Sequence, residues 1–157
     1  MKKIAFTALT VFGCLLITNA HSISDNAIGL RLGDSDGLGA EISYQRALGD
    51  NNRLELDLGW RTGNNFDGFK LVGLYQWVWH IDGGFNWYAA AGGVASYDYD
   101  APTNDSETFF LIAGDIGIEY DFDIPLLLSL DFRPEIDFGD VNDDTNFDIA
   151  LSIRYQF

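Results

Sequence analysis

The chain is poor in cysteine, proline and basic residues. Its 157 residues include one cysteine, three prolines and nine lysines or arginines, against 24 aspartates and glutamates. Because the cysteine, Cys14, lies in the amino-terminal segment, no disulfide can staple the rest of the chain. The formal charge of −15 argues against nucleic acid or an anionic membrane surface as a partner. It does not argue against insertion into a bilayer, because the direction in which each charged side chain points decides whether a chain can be inserted.

The chain also lacks an apolar run of the roughly 20 residues that a transmembrane helix needs. Its apolar stretch over residues 4–17 follows two lysines and leads to Thr-Asn-Ala, ending at Ala20, a small-x-Ala pattern typical of signal peptidase sites. We therefore expect residues 1–20 to be a cleaved secretory signal peptide and residues 21–157 to form the exported domain. A membrane-spanning helix and lipidation at Cys14 are the alternatives left open.

Apolar and polar residues alternate with period two after the signal segment, and clusters of Gly, Asn and Asp interrupt them. This pattern predicts an all-β fold. The eight predicted strands are residues 26–33, 38–48, 53–62, 69–81, 85–98, 108–122, 126–137 and 147–157. Their short connections predict hairpins, and hence an antiparallel up-and-down meander. Closing that meander removes both unpaired edges, and eight strands make a barrel just wide enough for side chains to fill.

The two faces of the predicted strands differ in charge and in size. One face carries large apolar side chains such as Leu151 and Ile153, whereas the other mixes charges with small residues, as in Ser152 and Arg154. A narrow lumen requires small residues, but a water-facing exterior does not. We therefore predict that the apolar face points outward into lipid, as in transmembrane β-barrels. A soluble exported barrel is the alternative.

Aromatic residues give a second indication of a membrane. They collect near both ends of the predicted strands, where amphipathic rings favour the two membrane interfaces. The predicted aromatic girdle comprises Tyr44, Trp60, Trp77, Trp79, Trp87, Tyr97, Tyr120, Tyr155 and Phe157. We expect a monomeric barrel in the outer membrane of a Gram-negative bacterium, in contact with its lipid and lipopolysaccharide.

The chain after the signal segment resembles the small eight-stranded outer-membrane β-barrel family of the OmpA/OmpX type. Its short loops and its closing sequence DIALSIRYQF, residues 148–157, are similar to porin-like barrel proteins of flavobacterial type. The resemblance implies that the last strand, which ends on Phe157, is recognised by the barrel assembly machinery. It implies no particular activity, because this fold hosts adhesins, enzymes, anchors and narrow pores.

Acids and bases alternate along the predicted lumen face at matching depths. Because an unpaired buried charge costs about 3–5 kcal/mol, we predict a salt-bridge network that plugs the barrel, with Arg133 and Arg154 each contacting several acids. The network comprises Arg31, Glu41, Glu55, Asp57, Lys70, Asp115, Glu119, Asp131, Arg133 and Arg154. A gated path for protons or ions along these residues, and thus a narrow pore, is the alternative.

Further acids lie in the predicted outer loops, with no Lys or Arg nearby in the sequence. They are Asp98, Asp100, Asp105, Glu107, Asp140, Asp143, Asp144 and Asp148. We expect a solvated, repulsive rim there and no resident metal or cofactor. Calcium or magnesium binding is the alternative, since carboxylates suit hard cations.

Catalytic residues are not evident in the sequence. His80 lies beside Asp82 without a serine at matching spacing, so a nucleophile, base and orienting group cannot be assembled. We expect His80 to be a polar cap of the lumen, with a lipid-modifying enzyme as the alternative. Pro134 cannot donate to a β-ladder, and we expect a bulge near the outer rim at that position, with a lateral opening of the wall for lipid as the alternative.

Overall fold

A computed structural model describes residues 23–33, 39–62, 66–100, 105–137 and 145–157. It gives the backbone alone at 61–62, 66–67, 98–100, 105–107, 109, 137 and 145. The predicted signal peptide, residues 1–20, lies outside the described residues. In the part of the chain that is described, no helix is long and apolar enough to cross a bilayer.

The described residues form eight β-strands, as the alternation predicted. They are β1 (Asn26–Gly33), β2 (Gly39–Ala47), β3 (Asn52–Thr62), β4 (Phe66–Asp82), β5 (Phe85–Asp100), β6 (Asp105–Asp121), β7 (Leu126–Asp137) and β8 (Thr145–Gln156). Each strand pairs antiparallel with the next, and β1 pairs antiparallel with β8. The sheet is therefore a closed up-and-down barrel, which confirms the predicted fold class.

Strands β4, β5 and β6 extend past their predicted ends. The β5 to β6 ladder continues to the pair Asp100 and Asp105, which the sequence had assigned to a loop. Backbone pairing in a hairpin does not require an apolar face, so the loss of apolar residues marks the end of the apolar band and not the end of the strand. At the opposite end, Gly83 takes a positive φ of 58° in the turn between β4 and β5, a conformation that glycine adopts without strain.

The expected bulge at Pro134 is wrong. The register pairs Ala113 with Glu135 and Ile116 with Phe132, so it is the same on both sides of the proline and contains no inserted residue. The ladder instead lacks its pairs over the two positions between these, because proline has no N–H to donate. Asp115 thus lies beside Arg133 at a local gap in the β6 to β7 ladder.

Burial alternates along every strand, with the large apolar side chains on the outside. Phe110 is 73% exposed and Ile149 is 62% exposed, whereas Arg31 and Arg133 are fully buried. The lumen is not uniform, since β4, β5 and β6 contribute an apolar patch. Its members are Val72, Leu74, Ala90, Val94 and Ala113. The other strands contribute most of the buried charge.

Candidate functional site: the charged lumen

All ten side chains of the predicted network lie inside the barrel, each at most 7% exposed. They are on the inward-facing positions of seven strands, because residues two apart in a strand share a face. Nine of them form ion pairs, and Asp115 does not.

Arg31, on β1, contacts three carboxylates. Its Nη1 donates to Glu41 Oε2 at 3.0 Å and to Asp148 Oδ2 at 2.6 Å. Its Nη2 and Nε donate to Asp131 Oδ1 at 2.5 and 3.1 Å. Arg31 therefore links β1, β2, β7 and β8, a role that the sequence had assigned to Arg133 and Arg154 alone.

Arg133, on β7, reaches across the lumen to strands β2 and β3. Its Nη1 donates to Glu41 Oε2 at 3.2 Å, and its Nη2 donates to Asp57 Oδ2 at 2.5 Å and to Glu55 Oε1 at 3.5 Å. Glu41 is thus shared between Arg31 and Arg133. Because a planar guanidinium presents several donors in a fixed fork, one side chain can join acids from two strands.

Arg154, on β8, extends the same network toward the start of β3. Its Nη2 donates to Glu55 Oε2 at 3.0 Å, while its Nε and Nη1 donate to Ser43 Oγ at 2.9 Å and Ser129 Oγ at 2.8 Å. Gln45 also donates to Glu55. Arginines 31, 133 and 154 therefore belong to one continuous chain of contacts through Glu41 and Glu55.

A separate cluster is centred on Arg53, a residue that the sequence analysis did not include in the network. Arg53 donates to Glu119 at 2.6 and 3.2 Å and to Gln76 Oε1 at 2.5 Å. Its guanidinium carbon also lies 5.2 Å from the centre of the Tyr88 ring, a cation–π distance. The signal was present in the sequence, because Arg53 lies two residues before Glu55 and therefore shares its inward face.

Two further acids of the lumen were also missed or misassigned. Glu135 accepts a hydrogen bond from Lys70 Nζ at 2.5 Å. Asp148, which the sequence placed on a solvated outer rim without a basic partner, is 3% exposed and pairs with Arg31. That assignment is wrong because Asp148 lies within β8, where Phe147 and Ile149 face outward and Asp148 between them faces inward. The other predicted rim acids, residues 98, 100, 105, 107, 140, 143 and 144, lie outside the residues with described side chains.

His80 lies near the turn between β4 and β5. Its Nδ1 is 3.0 Å from Asn86 Oδ1, and Asn86 Nδ2 donates to Glu119 at 3.2 Å. These contacts connect the half-buried histidine to the cluster around Arg53. Among the described side chains, no group of three or more His, Cys, Asp or Glu residues is arranged to hold a metal ion.

Two small cavities lie at the two ends of the described part of the lumen. A cavity of about 20 Å³ at one end is lined by Arg31, Glu41, Lys70 and Asp148 among others, and one of about 10 Å³ at the other end is lined by residues that include Arg53. A cavity needs a free volume of at least about 10–15 Å³ to hold one water molecule. Each cavity is therefore of the size of one or two waters.

Comparison with known proteins identifies the fold. No family model and no curated protein sequence matches this chain. The amino-terminal β-barrel domain of Pseudomonas aeruginosa OprF matches with a TM-score of 0.67 and 12% identity, over 84% of this chain and 98% of that domain. The chain has the fold of the small eight-stranded outer-membrane barrels. Neisserial surface protein A matches with a TM-score of 0.64 and 11% identity, over 84% of this chain and 94% of that one. Pseudomonas aeruginosa OprG matches with a TM-score of 0.63 and 10% identity, over 89% and 99%.

The predicted girdle of this outer-membrane-type barrel is exposed or half-buried at every position. Trp79 and Trp87 stack with ring centres 4.3 Å apart, and Tyr155 and Phe157 are parallel at 6.3 Å. Tyr44 donates from its hydroxyl to Asn26 Oδ1 at 2.8 Å. The remaining girdle residues are Trp60, Trp77, Tyr97 and Tyr120, and Tyr120 contacts both Phe85 and Phe122 edge to face.

Proposed function

We propose that this protein is an integral outer-membrane protein of a Gram-negative bacterium, a structural or interaction component of the envelope whose lumen is plugged. The outward apolar surface supports membrane insertion, since side chains such as Leu30, Leu151 and Ile153 are 45%, 56% and 47% exposed. Burying that surface in lipid is favourable, whereas leaving a patch of this extent in water is rare for a soluble monomer.

The observation that carries the plug is the continuous chain of contacts across the lumen. It runs from Arg31 through Glu41 to Arg133, and on through Glu55 to Arg154. These side chains come from five strands and meet in the interior at distances of 3.0 to 3.5 Å. Breaking such a buried pair leaves an uncompensated charge at a cost of about 3–5 kcal/mol, so the closed arrangement resists opening.

A narrow, cation-preferring pore is the competing function. Among the side chains that the structure describes, the buried charged residues comprise eight carboxylates and five basic groups, and a negative lumen favours cations over anions. We favour the plug because its ion pairs occupy the lumen centre.

We also propose that the protein has no enzymatic activity, and comparing the mass of lipid A from cells with and without the protein tests this. A change of one acyl chain would contradict it.

A liposome-swelling assay separates plug from pore. Liposomes containing the wild-type barrel should swell in a small sugar or amino acid no faster than empty liposomes, and liposomes with an open porin serve as the positive control. An Arg154→Ala variant, which removes three contacts from the plug, should swell faster than wild type. Rapid swelling with the wild-type barrel would show that the lumen conducts.

We propose the outer-membrane lipid and lipopolysaccharide and the barrel assembly machinery as the partners, and membership of the porin-like group of flavobacterial type. Strand β8 supports recognition by the machinery, because it pairs with β1 and closes the barrel and presents Tyr155 and Phe157 outward, 57% and 60% exposed. A Phe157→Ala variant should accumulate less in the outer membrane than wild type. Equal accumulation would contradict this recognition, and Leu130→Ala on the lipid face is the matched control.

A further inference from the structure

Asp115 differs from every other buried carboxyl group that the structure describes. It is 5% exposed, and neither of its side-chain oxygens has a hydrogen-bond partner. Each of the other seven buried acids in the described lumen pairs with Arg31, Arg53, Lys70, Arg133 or Arg154. A buried carboxylate without a donor loses its hydration and gains nothing in return.

The groups around Asp115 do not supply that donor. Gly117, two residues along the same face of β6, pairs with Tyr88 on β5 and with Asp131 on β7. The Tyr88 hydroxyl lies over Gly117, 2.5 Å from where a Cβ would be, and has no hydrogen-bond partner. Asp131 Oδ2 has none either. The region around Gly117 thus holds three buried polar groups with unused hydrogen-bonding capacity.

Arg133 is the nearest base by register, but it donates no hydrogen bond to Asp115. It lies beside Asp115 at the gap in the β6 to β7 ladder, and its two terminal nitrogens bond to acids on β2 and β3. Its Nε is buried and has no hydrogen-bond partner, so this donor does not reach Asp115 either. Across the lumen, the charged groups that interact electrostatically with Asp115 include Arg31 on β1 and Glu55 on β3. The flanking strand β5 contributes Tyr88 as its titratable group, and Asp131 is the second acid on β7.

We propose that Asp115 is a proton-binding site inside the plug, where the carboxyl group is held as the neutral acid. The proton comes from water, and it removes one negative charge from a lumen whose described residues include eight buried acids and five buried bases. As an acid, Asp115 gains an O–H donor and keeps an acceptor oxygen, in a region where the Tyr88 hydroxyl and Asp131 Oδ2 have no hydrogen-bond partner. The inference rests on the buried polar groups and holds whether or not the lumen conducts solutes.

The proposal predicts a direction for the pH dependence of stability. In the unfolded chain an aspartate ionises in the ordinary acidic range, so near neutral pH the folded barrel would bind one more proton than the unfolded chain. Stability therefore falls as pH rises wherever the folded state holds the extra proton. An Asp115→Asn variant keeps the shape and the hydrogen-bonding groups of the neutral acid, but it cannot release a proton.

Urea unfolding of the barrel in lipid vesicles tests this from about pH 4 to about pH 9. The wild-type midpoint should fall with pH more steeply than that of Asp115→Asn, and the two midpoints should be closest near pH 4, where the unfolded aspartate also binds its proton. The matched control is Asp131→Asn, whose parent carboxylate is paired with Arg31, and it should be destabilised at every pH. Parallel pH profiles for wild type and Asp115→Asn would overturn the proposal.

Infrared difference spectroscopy provides a second readout that does not depend on unfolding. The folded wild-type barrel at neutral pH should show the carbonyl stretch of a protonated carboxylic acid, and this band should be absent from Asp115→Asn. If that variant does not fold, Asp115→Ser replaces it in the same comparison. A band that is missing from wild type, or that persists unchanged in the variant, would contradict proton binding at Asp115.

Discussion

Removing Arg133 tests the energetics of the plug most sharply, because the consequence for each partner can be traced. In Arg133→Met, Glu41 keeps its bond from Arg31 and Glu55 keeps its bonds from Arg154 and Gln45. Asp57 is different, since Arg133 supplies its one hydrogen bond among the described residues. The variant therefore leaves one buried carboxylate without a partner, and we expect a loss of about 3–5 kcal/mol in the free energy of unfolding.

The matching rescue removes the orphaned charge. Asp57→Asn combined with Arg133→Met places two neutral side chains where the ion pair was, so the double variant should be more stable than Arg133→Met alone. A double-mutant cycle should give an interaction energy of about 1.5–3 kcal/mol. Urea titration of vesicle-embedded barrel, followed by tryptophan fluorescence and by the mobility of unboiled samples in gels, measures all four proteins.

The control for this cycle is Leu130→Ile on the lipid face, where Leu130 is 50% exposed and the change should be within about 0.5 kcal/mol of wild type. The reasoning is refuted if Arg133→Met costs less than about 1 kcal/mol, or if adding Asp57→Asn gives no recovery. Either result would mean that Asp57 does not depend on Arg133 for its stability in the lumen.

Three further substitutions test other parts of the structure. Leu151→Arg on the lipid face should cost about 2–4 kcal/mol in vesicles, whereas Leu48→Arg, at an exposed position in the turn directly after β2, should cost far less. Equal losses would argue against a bilayer around the barrel. Gly117→Ala forces a Cβ against the Tyr88 hydroxyl and should lower the free energy of unfolding by about 1–3 kcal/mol. Adding Tyr88→Leu should recover part of that loss, and no recovery would show that the loss does not come from this contact. Arg53→Lys loses the bidentate contact with its glutamate and should cost about 1.5–3 kcal/mol in urea unfolding, and an unchanged midpoint would show that the pair contributes little.

The number of strands, their order and the face of each strand that points outward could be predicted from the sequence, because each depends on local patterns. Alternation with period two predicts which residues share a face, and residue size then indicates which face is inside. Leu151 and Ser152 illustrate this, since one is 56% exposed and its neighbour is fully buried. Arg53 and Glu135 satisfied the same rule and could have been found by applying it to every strand position.

The choice of partner inside the lumen could not be predicted in this way. Arg133 bonds to acids on β2 and β3 across the barrel and not to Asp115, its neighbour on the adjacent strand. That choice depends on the curvature of the barrel wall and on the length of each side chain relative to the lumen, and the alternation of apolar and polar residues determines neither. Asp148 is a different case, because it lies in the predicted strand 147–157 next to the outward-facing Phe147, and the alternation rule alone would have placed it inside the lumen.

Conductance in planar lipid bilayers tests the plugged lumen most directly. If the proposed plug is right, the wild-type barrel should insert without producing stable current steps, because the chain of contacts from Arg31 to Arg154 crosses the lumen. Arg133→Ala, which removes the middle link of that chain, should produce steps under the same conditions. Long-lived, voltage-independent steps from the wild-type barrel, unchanged in Arg133→Ala, would contradict the plug and establish an open pore.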